Sequence, residues 1–256
     1  MPKSVAVVTG ASQGIGRSTA IRLARDFASL VLVARNRSHL EDTASQVRAA
    51  GAETLIIDLD LSEPSAAHGV VEQTLGAFGR IDALVNIAGA VPQIDLFEMT
   101  DQQWDTGMAL KFHGARRLTI EAWPALTEAK GSVVLMSGNS AIFPKAPYAA
   151  VGTINAAIAA LAKAFSDRGI ADGVQVNSVM PGAVMTGRRR SYLEHWAPAH
   201  GMTVEQAIAA FPGEADIERY GTPEEIAELM AFLVSPAARW MTGSVLRMDG
   251  GEVKSV

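Results

Sequence analysis

The sequence predicts an α/β fold: a single doubly wound, Rossmann-type domain over residues 1–256, with a parallel sheet of about seven strands. Three observations carry this. Short β-branched runs alternate with longer segments of helical period along the whole chain. The short runs are apolar nearly throughout, the mark of strands covered on both faces. A glycine-rich turn lies at the first strand–helix junction, where doubly wound folds hold nucleotides.

Taken in order, "VAVVTG" (5–10) reads as the first strand and 14–27 as the first helix. "LVLVA" (30–34) and a helix over 38–50 follow, then "TLIIDLD" (54–60) with a helix over 64–78. "DALVNIAG" (82–89) leads to a helix over 101–127, and "SVVLMSG" (132–138) to one over 148–168. "VQVNSVMPG" (174–182) is the sixth strand and "GSVLRMDGG" (243–251) the seventh. A helix over 223–234 opens with Thr222 as N-cap, Pro223 at its first position and Glu225 as the capping-box acid. Residues 187–215 show no clear pattern; a loop of that length reads as a substrate lid.

Composition narrows the class. With 48% apolar residues the chain suits a globular domain with a full-sized core. A net charge of −5 gives no sign of a nucleic-acid or anionic-membrane partner. The absence of Cys excludes disulfides and thiolate metal sites. "MPKS" runs straight into a strand without the pattern of a signal peptide, and no apolar run approaches the ~20 residues of a membrane span. A cytoplasmic location is therefore expected. His39, His68, His113, His195 and His200 lack ligand spacing, so no metal site is expected.

"TGASQGIG" (9–16) supplies Gly10, Gly14 and Gly16 for a tight turn, close backbone approach to phosphate and close helix–sheet packing. Together with "VNIAG" (85–89) and "PGAVMTG" (181–187), in this order and spacing, it resembles the short-chain dehydrogenase/reductase family, over essentially the whole chain. The resemblance implies cofactor binding by Gly10, Ser12, Gln13, Gly14, Ile15 and Gly16 at the phosphates. It implies Asp60 and Leu61 at adenine, and Asn86, Ala88 and Gly89 beside the adenosine. Pro181, Gly182, Val184 and Thr186 are implied at the nicotinamide and pyrophosphate. "VLVARNR" (31–37) puts Ala34 where an NAD-binding acid would sit, followed by Arg35 with no opposing carboxylate. This favours NADP over NAD. The competing reading has Arg35 capping the sheet or stacking on adenine, and Gln13 stands where NADP-using relatives often carry a second basic residue.

The resemblance implies hydride transfer between the nicotinamide and a carbonyl or alcohol. A Tyr handles the proton, a Lys tunes it, a Ser binds the substrate oxygen and an Asn holds a relay water. Here the Asn slot is Lys111 and the Ser slot is Gly138, leaving Ser137 or Ser140 to serve. Tyr148 is the family Tyr by motif, with Gly152 in the Lys slot. The apolar face Ile154, Ala157, Leu161, Phe165 instead projects Pro147 and Val151 into those slots. Neither frame supplies a Lys. Lys111 shares a helix stripe with Trp104, Met108, Ala115 and Leu118. An ammonium there is costly unless it is paired or functional, so Lys111 is the candidate replacement; the alternative is a side chain that snorkels or pairs with a core carboxylate.

The catalytic candidates are thus Tyr148, Lys111, Ser137 and Ser140. Two functions remain open: an NADP-dependent reductase or dehydrogenase with a rearranged catalytic set, or an NADP(H)-binding sensor or assembly subunit without turnover. The expected partners are a small-molecule substrate and further copies of the chain; the "GRRRSYLEHWAPAHG" segment (187–201) reads either as a lid meeting an anionic or aromatic substrate or, equally, as a solvated basic loop. The Ala-rich helix over 148–166 leaves one face for close helix–helix contact in a tetramer.

Overall fold

A computed structural model describes residues 4–255; Met1–Lys3 of the opening "MPKS" and Val256 lie outside the described residues. Seven parallel strands form one sheet in the order β3-β2-β1-β4-β5-β6-β7. They are β1 (Val5–Thr9), β2 (Ser29–Ala34), β3 (Glu53–Asp58), β4 (Ala83–Asn86), β5 (Ser132–Met136), β6 (Gln175–Pro181) and β7 (Val245–Met248). The order reverses between β1 and β4, which opens a crevice at their carboxyl ends. The doubly covered pattern expected of all seven strands holds for the inner ones. The edge strands are shorter than read and partly open, with Glu53, Asp58 and Val245 exposed.

Helices cover both faces. On one side α1 (Gly14–Leu23), α2 (Arg37–Ala49) and α9 (Pro223–Leu233) bury Leu23, Leu40, Ile226 and Met230 against Leu30 and Leu32. On the other, α3 (Ala66–Phe78), α5 (Ala115–Ala129) and α6 (Ala149–Asp172) bury Val70, Leu118, Leu126 and Ile158 against Val31 and Val133. The predicted capping box of α9 is present, with Thr222 and Glu225 each bonded to the other's backbone.

Three readings are corrected. The helix expected over 101–127 is a continuous helical run of three parts: α4 (Asp101–Gly107), a π-helical segment (Met108–Gly114) and α5. The segment 187–215 is two helices, α7 (Gly187–Ala199) and α8 (Val204–Glu214). Thr186 caps the first, and a Thr203–Gln206 capping box opens the second. Leu193, Ala197 and Ala207 give the pair its own small core. Finally, Ala146–Asp172 is long and apolar enough to cross a bilayer by length and composition, contrary to the sequence expectation. Its Ile154, Ile158 and Ala162 face is fully inside the domain, which makes it a core helix.

Candidate active site

Two cavities adjoin at Ile15 and Met136. The first, about 630 Å³, lies over the glycine turn. Gly10 and Gly14 adopt left-handed backbone, φ +68° and +54°. A Cβ on Gly10 would stand 3.0 Å from the Ala88 nitrogen, so the turn needs glycine for contact as well as conformation. The N-cap of α1, Gln13, makes no side-chain cap, which leaves the first amides of the helix free to face an anion. Thr9, at the end of β1, holds the opposite wall: its hydroxyl oxygen accepts from the amides of Ile87 (2.9 Å) and Ala88 (3.0 Å).

Of the predicted cofactor residues, Gly10, Ser12, Gln13, Gly14, Ile15, Gly16, Arg35, Leu61, Ala88, Gly89 and Thr186 line this cavity. Pro181 and Gly182 line the second cavity instead. Asn86 is buried below the cleft, its amide donating to Thr119 at 3.2 Å, and Val184 is buried beside Gly221. Arg35 does meet a carboxylate, contrary to expectation: its Nη1 lies 3.6 Å from Asp60 Oδ2. Burial would raise the Asp60 pKa, but the Ser62 amide and hydroxyl and Arg35 outweigh it and hold the carboxyl below its ordinary value. Arg188, missed by the sequence reading, roofs the cleft by donating to the carbonyls of Gly89 (3.0 Å) and Val91 (3.1 Å).

The second cavity, about 870 Å³, is lined by Ser137, Ser140, Tyr148, Val151, Asn155 and aromatic residues of α7 and α8. Lys111 lines neither cavity. It sits in the π-helical segment against Gly89, where a Cβ would come within 3.0 Å of its side chain. Its Nζ donates to Asn155 Oδ1 at 2.5 Å and to the Ser137 carbonyl at 3.3 Å. An ammonium can only donate, so the amide oxygen must face it and the Asn155 NH2 must face the other way. There it donates to Ser140 Oγ at 2.9 Å, leaving the Ser140 hydroxyl proton free. The Ser137 hydroxyl is spent on the Asn155 carbonyl at 2.6 Å. Burial, then the nearby Arg188 charge, lower the Lys111 pKa to about 8. No carboxylate pairs with Lys111 among the described residues.

Sequence and fold both have counterparts among known proteins. The family model described as enoyl-(acyl carrier protein) reductase matches residues 10–252. The chain belongs to the short-chain dehydrogenase/reductase family. It is 30% identical to the short-chain reductase protein NovJ of Streptomyces niveus, over 97% of this chain and 94% of that protein. It is 30% identical to versicolorin reductase of Emericella nidulans, over 96% and 94% respectively. The L-sorbose reductase of Gluconobacter frateurii, solved with NADPH and L-sorbose, superposes with a TM-score of 0.94 at 29% identity, covering 100% of both chains.

Against that family, the slots that changed now have a steric account. A Cβ at Gly138 would lie 2.6 Å from Asn155 Nδ2, so a serine in the family's Ser slot would expel the amide. A Cβ at Gly152 would lie 2.7 Å from Pro144 and 2.8 Å from the Ser140 carbonyl. The connection after β5 is pressed onto α6 there, and no lysine fits. The frame projected from the helix face fails, because α6 begins at Ala149 and Tyr148 belongs to a 3-10 turn (Ala146–Tyr148). Tyr148 lines the cavity, whereas Pro147 is exposed and does not. The buried stripe of α6 includes Ile154 of the predicted face but continues through Asn155, Ile158, Ala162 and Ser166, leaving Ala157, Leu161 and Phe165 on its partly buried flank. Asn155 was not among the sequence candidates; a polar side chain on the buried face of a helix was the available signal.

The Lys111 shift makes a stability prediction. In the unfolded chain a Lys titrates at about 10.4, so between about 8 and 10.4 the unfolded state binds more protons and stability rises with pH. Urea unfolding from pH 7.5 to 10 should show a gain of about 1–3 kcal/mol over this window. Lys111→Met should remove the gain and be the more stable protein at pH 7.5, since it buries no charge. A parental slope retained in the variant would assign the titration to another group.

Proposed function

We propose that the protein is an NADP(H)-dependent reductase of small carbonyl compounds with a rearranged catalytic set. The observation that carries this is the chain Lys111–Asn155–Ser140, which ends in a free hydroxyl in the same cavity as the Tyr148 phenol. The glycine cradle and open amides of α1 suit the cofactor diphosphate, and Arg35, 66% exposed at the cleft, suits a ribose 2′-phosphate. When bound, NADPH supplies hydride to the carbonyl carbon. Ser140 donates a hydrogen bond to the carbonyl oxygen, strengthening as charge develops there. Tyr148 passes its proton to that oxygen, giving the alcohol, and solvent reprotonates the phenol.

Direction follows from charge. Burial, then Glu252 and Tyr192, raise the Tyr148 pKa, and only Arg189 opposes them. A phenol that keeps its proton through neutral pH serves as the acid of a reduction, whereas alcohol oxidation needs the phenolate. Lys111 is a positioning residue: it reaches no cavity and acts by polarising the Asn155 amide that holds Ser140. The second reading, a sensor without turnover, draws on Gly138 and Gly152, where two family side chains are missing.

Arg35→Ala should weaken NADPH binding by about 10- to 100-fold and leave NADH nearly unchanged. Equal losses for both cofactors, measured by titration calorimetry, would remove Arg35 from the 2′-phosphate.

Tyr148→Phe and Ser140→Ala should each lower turnover of an accepted carbonyl by about 100-fold or more. Parental turnover should fall as pH rises through about 8, as Lys111 loses its charge, and that limb should be absent in Lys111→Met. A limb preserved in Lys111→Met would refute the electrostatic role, and tight NADPH binding with no turnover across a broad carbonyl panel would favour the sensor.

Assembly as a homotetramer through α5 and α6 is supported by exposed Ile120 and Ile170 and by the exposed row Ala156, Ala160, Ala164. Light scattering at micromolar concentration should give four times the 27.0 kDa chain mass. A monomer would overturn the assignment.

A further inference from the structure

Three consecutive arginines open α7, and their surroundings separate them. Arg188 is bonded to the Gly89 and Val91 carbonyls. Arg190 pairs with Glu194 (3.7 Å) and Glu205 (3.5 Å). Arg189 lines the 870 Å³ cavity, and its guanidinium has neither a hydrogen bond nor an ion pair to any described residue. Its Nε is buried without a partner. Three aromatic rings surround it: Phe211 with the centroid 4.4 Å from Cζ, Tyr192 at 5.4 Å and Tyr220 at 5.8 Å. The Tyr220 hydroxyl beside it is also buried and unpartnered.

Such a cation is costly to leave unmatched. A guanidinium stacked on rings has its faces occupied and its in-plane N–H edge left over, and that edge fits a carboxylate through two parallel bonds. The carboxylates around the cavity do not take the place. Glu252 accepts from Asn139 Nδ2 (2.6 Å) and the Ala183 amide (3.1 Å). Asp216 pairs with Lys254 at 3.0 Å. Glu214 is exposed at the end of α8. The remaining cation, Lys145, lies over the Phe143 ring at 5.8 Å. Arg189 is also close enough to Tyr148 to lower the pKa of its phenol, so an anion held by Arg189 is next to the proposed proton donor.

We propose that Arg189 and its aromatic box are the receptor for a carboxylate carried by the substrate, so that the carbonyl compounds reduced here are oxo acids. This rests on the reductase reading above and adds the substrate class to it. The neighbouring Phe143, Tyr192, Trp196 and Phe211 favour an aromatic or other flat apolar body on the same molecule.

The test uses benzoylformate and its methyl ester, which differ only in the anion, with the NADPH-free and NADP+-loaded full-length protein. Calorimetry on the NADP+-loaded protein should show benzoylformate binding at least about 10-fold tighter than the ester. Arg189→Met should weaken benzoylformate by about 10- to 100-fold and Arg189→Lys by less, while NADP+ affinity, measured on the NADPH-free protein, moves under about twofold. The NADP+ measurement and a thermal melt show that each variant is folded. The ratio of kcat/KM for acid over ester should fall in parallel. Benzoylformate binding that depends on Arg189, without turnover of either compound, would keep the receptor and sink the reductase. Turnover of both compounds with no acid preference, and no effect of Arg189→Met on the ratio, would keep the reductase and sink the receptor. No binding of benzoylformate or phenylpyruvate below about 10 mM would also overturn it.

Discussion

Asn155 uses both ends of one side-chain amide inside the protein, and the site depends on that choice. Its oxygen takes the Lys111 ammonium, its nitrogen holds Ser140, and its backbone carbonyl takes the Ser137 hydroxyl. A buried amide satisfied in this way has one orientation, fixed by the rule that an ammonium never accepts. Two glycines make the room: Gly138 would strike the amide if it carried a Cβ, and Gly152 lets the loop bearing Ser140 settle on α6. A third, Gly89, leaves space for the lysine stem. The departures from the family pattern are one rearrangement seen at several positions.

That rearrangement changes where the positive charge acts. The family resemblance implied a lysine one turn beyond the tyrosine that tunes it directly; here that position, Gly152, is pressed against Pro144 and the Ser140 carbonyl. Lys111 stands behind the cavity wall, in a π-helical segment between two apolar clusters, with no carboxylate among the described residues to neutralise it. Its field is passed to the Ser140 hydroxyl through a polarised amide. The tyrosine is left among groups that favour its neutral form.

The sheet, its helices and the glycine cradle were legible because buried parallel strands and tight turns restrict sequence strongly: residues such as Val7, Leu32 and Val134 have no alternative role. The helices α7 and α8 were not. They bury only Leu193, Ala197 and Ala207 and carry Pro198 and Pro212 near their ends, and α7 shows little amphipathic pattern. The Thr203–Gln206 capping box was the signal to use. Tyr148 defeated projection from the helix because a 3-10 turn does not continue the α-helical frame. Lys111 was recognisable as an anomaly, since charge on an apolar stripe has few explanations, but its partner lies 44 positions along the chain and only the fold brings them together. The arginine triplet was equally visible, yet one residue of helix is ~100° of rotation, and three neighbours met three different environments.

The last of these has a mechanical consequence. Arg188 closes the cleft over the glycine turn, and Arg189, the next residue on the same first turn of α7, faces the other cavity. The two are consecutive residues of one turn, so any rigid shift of this helix end would carry both cavity walls together.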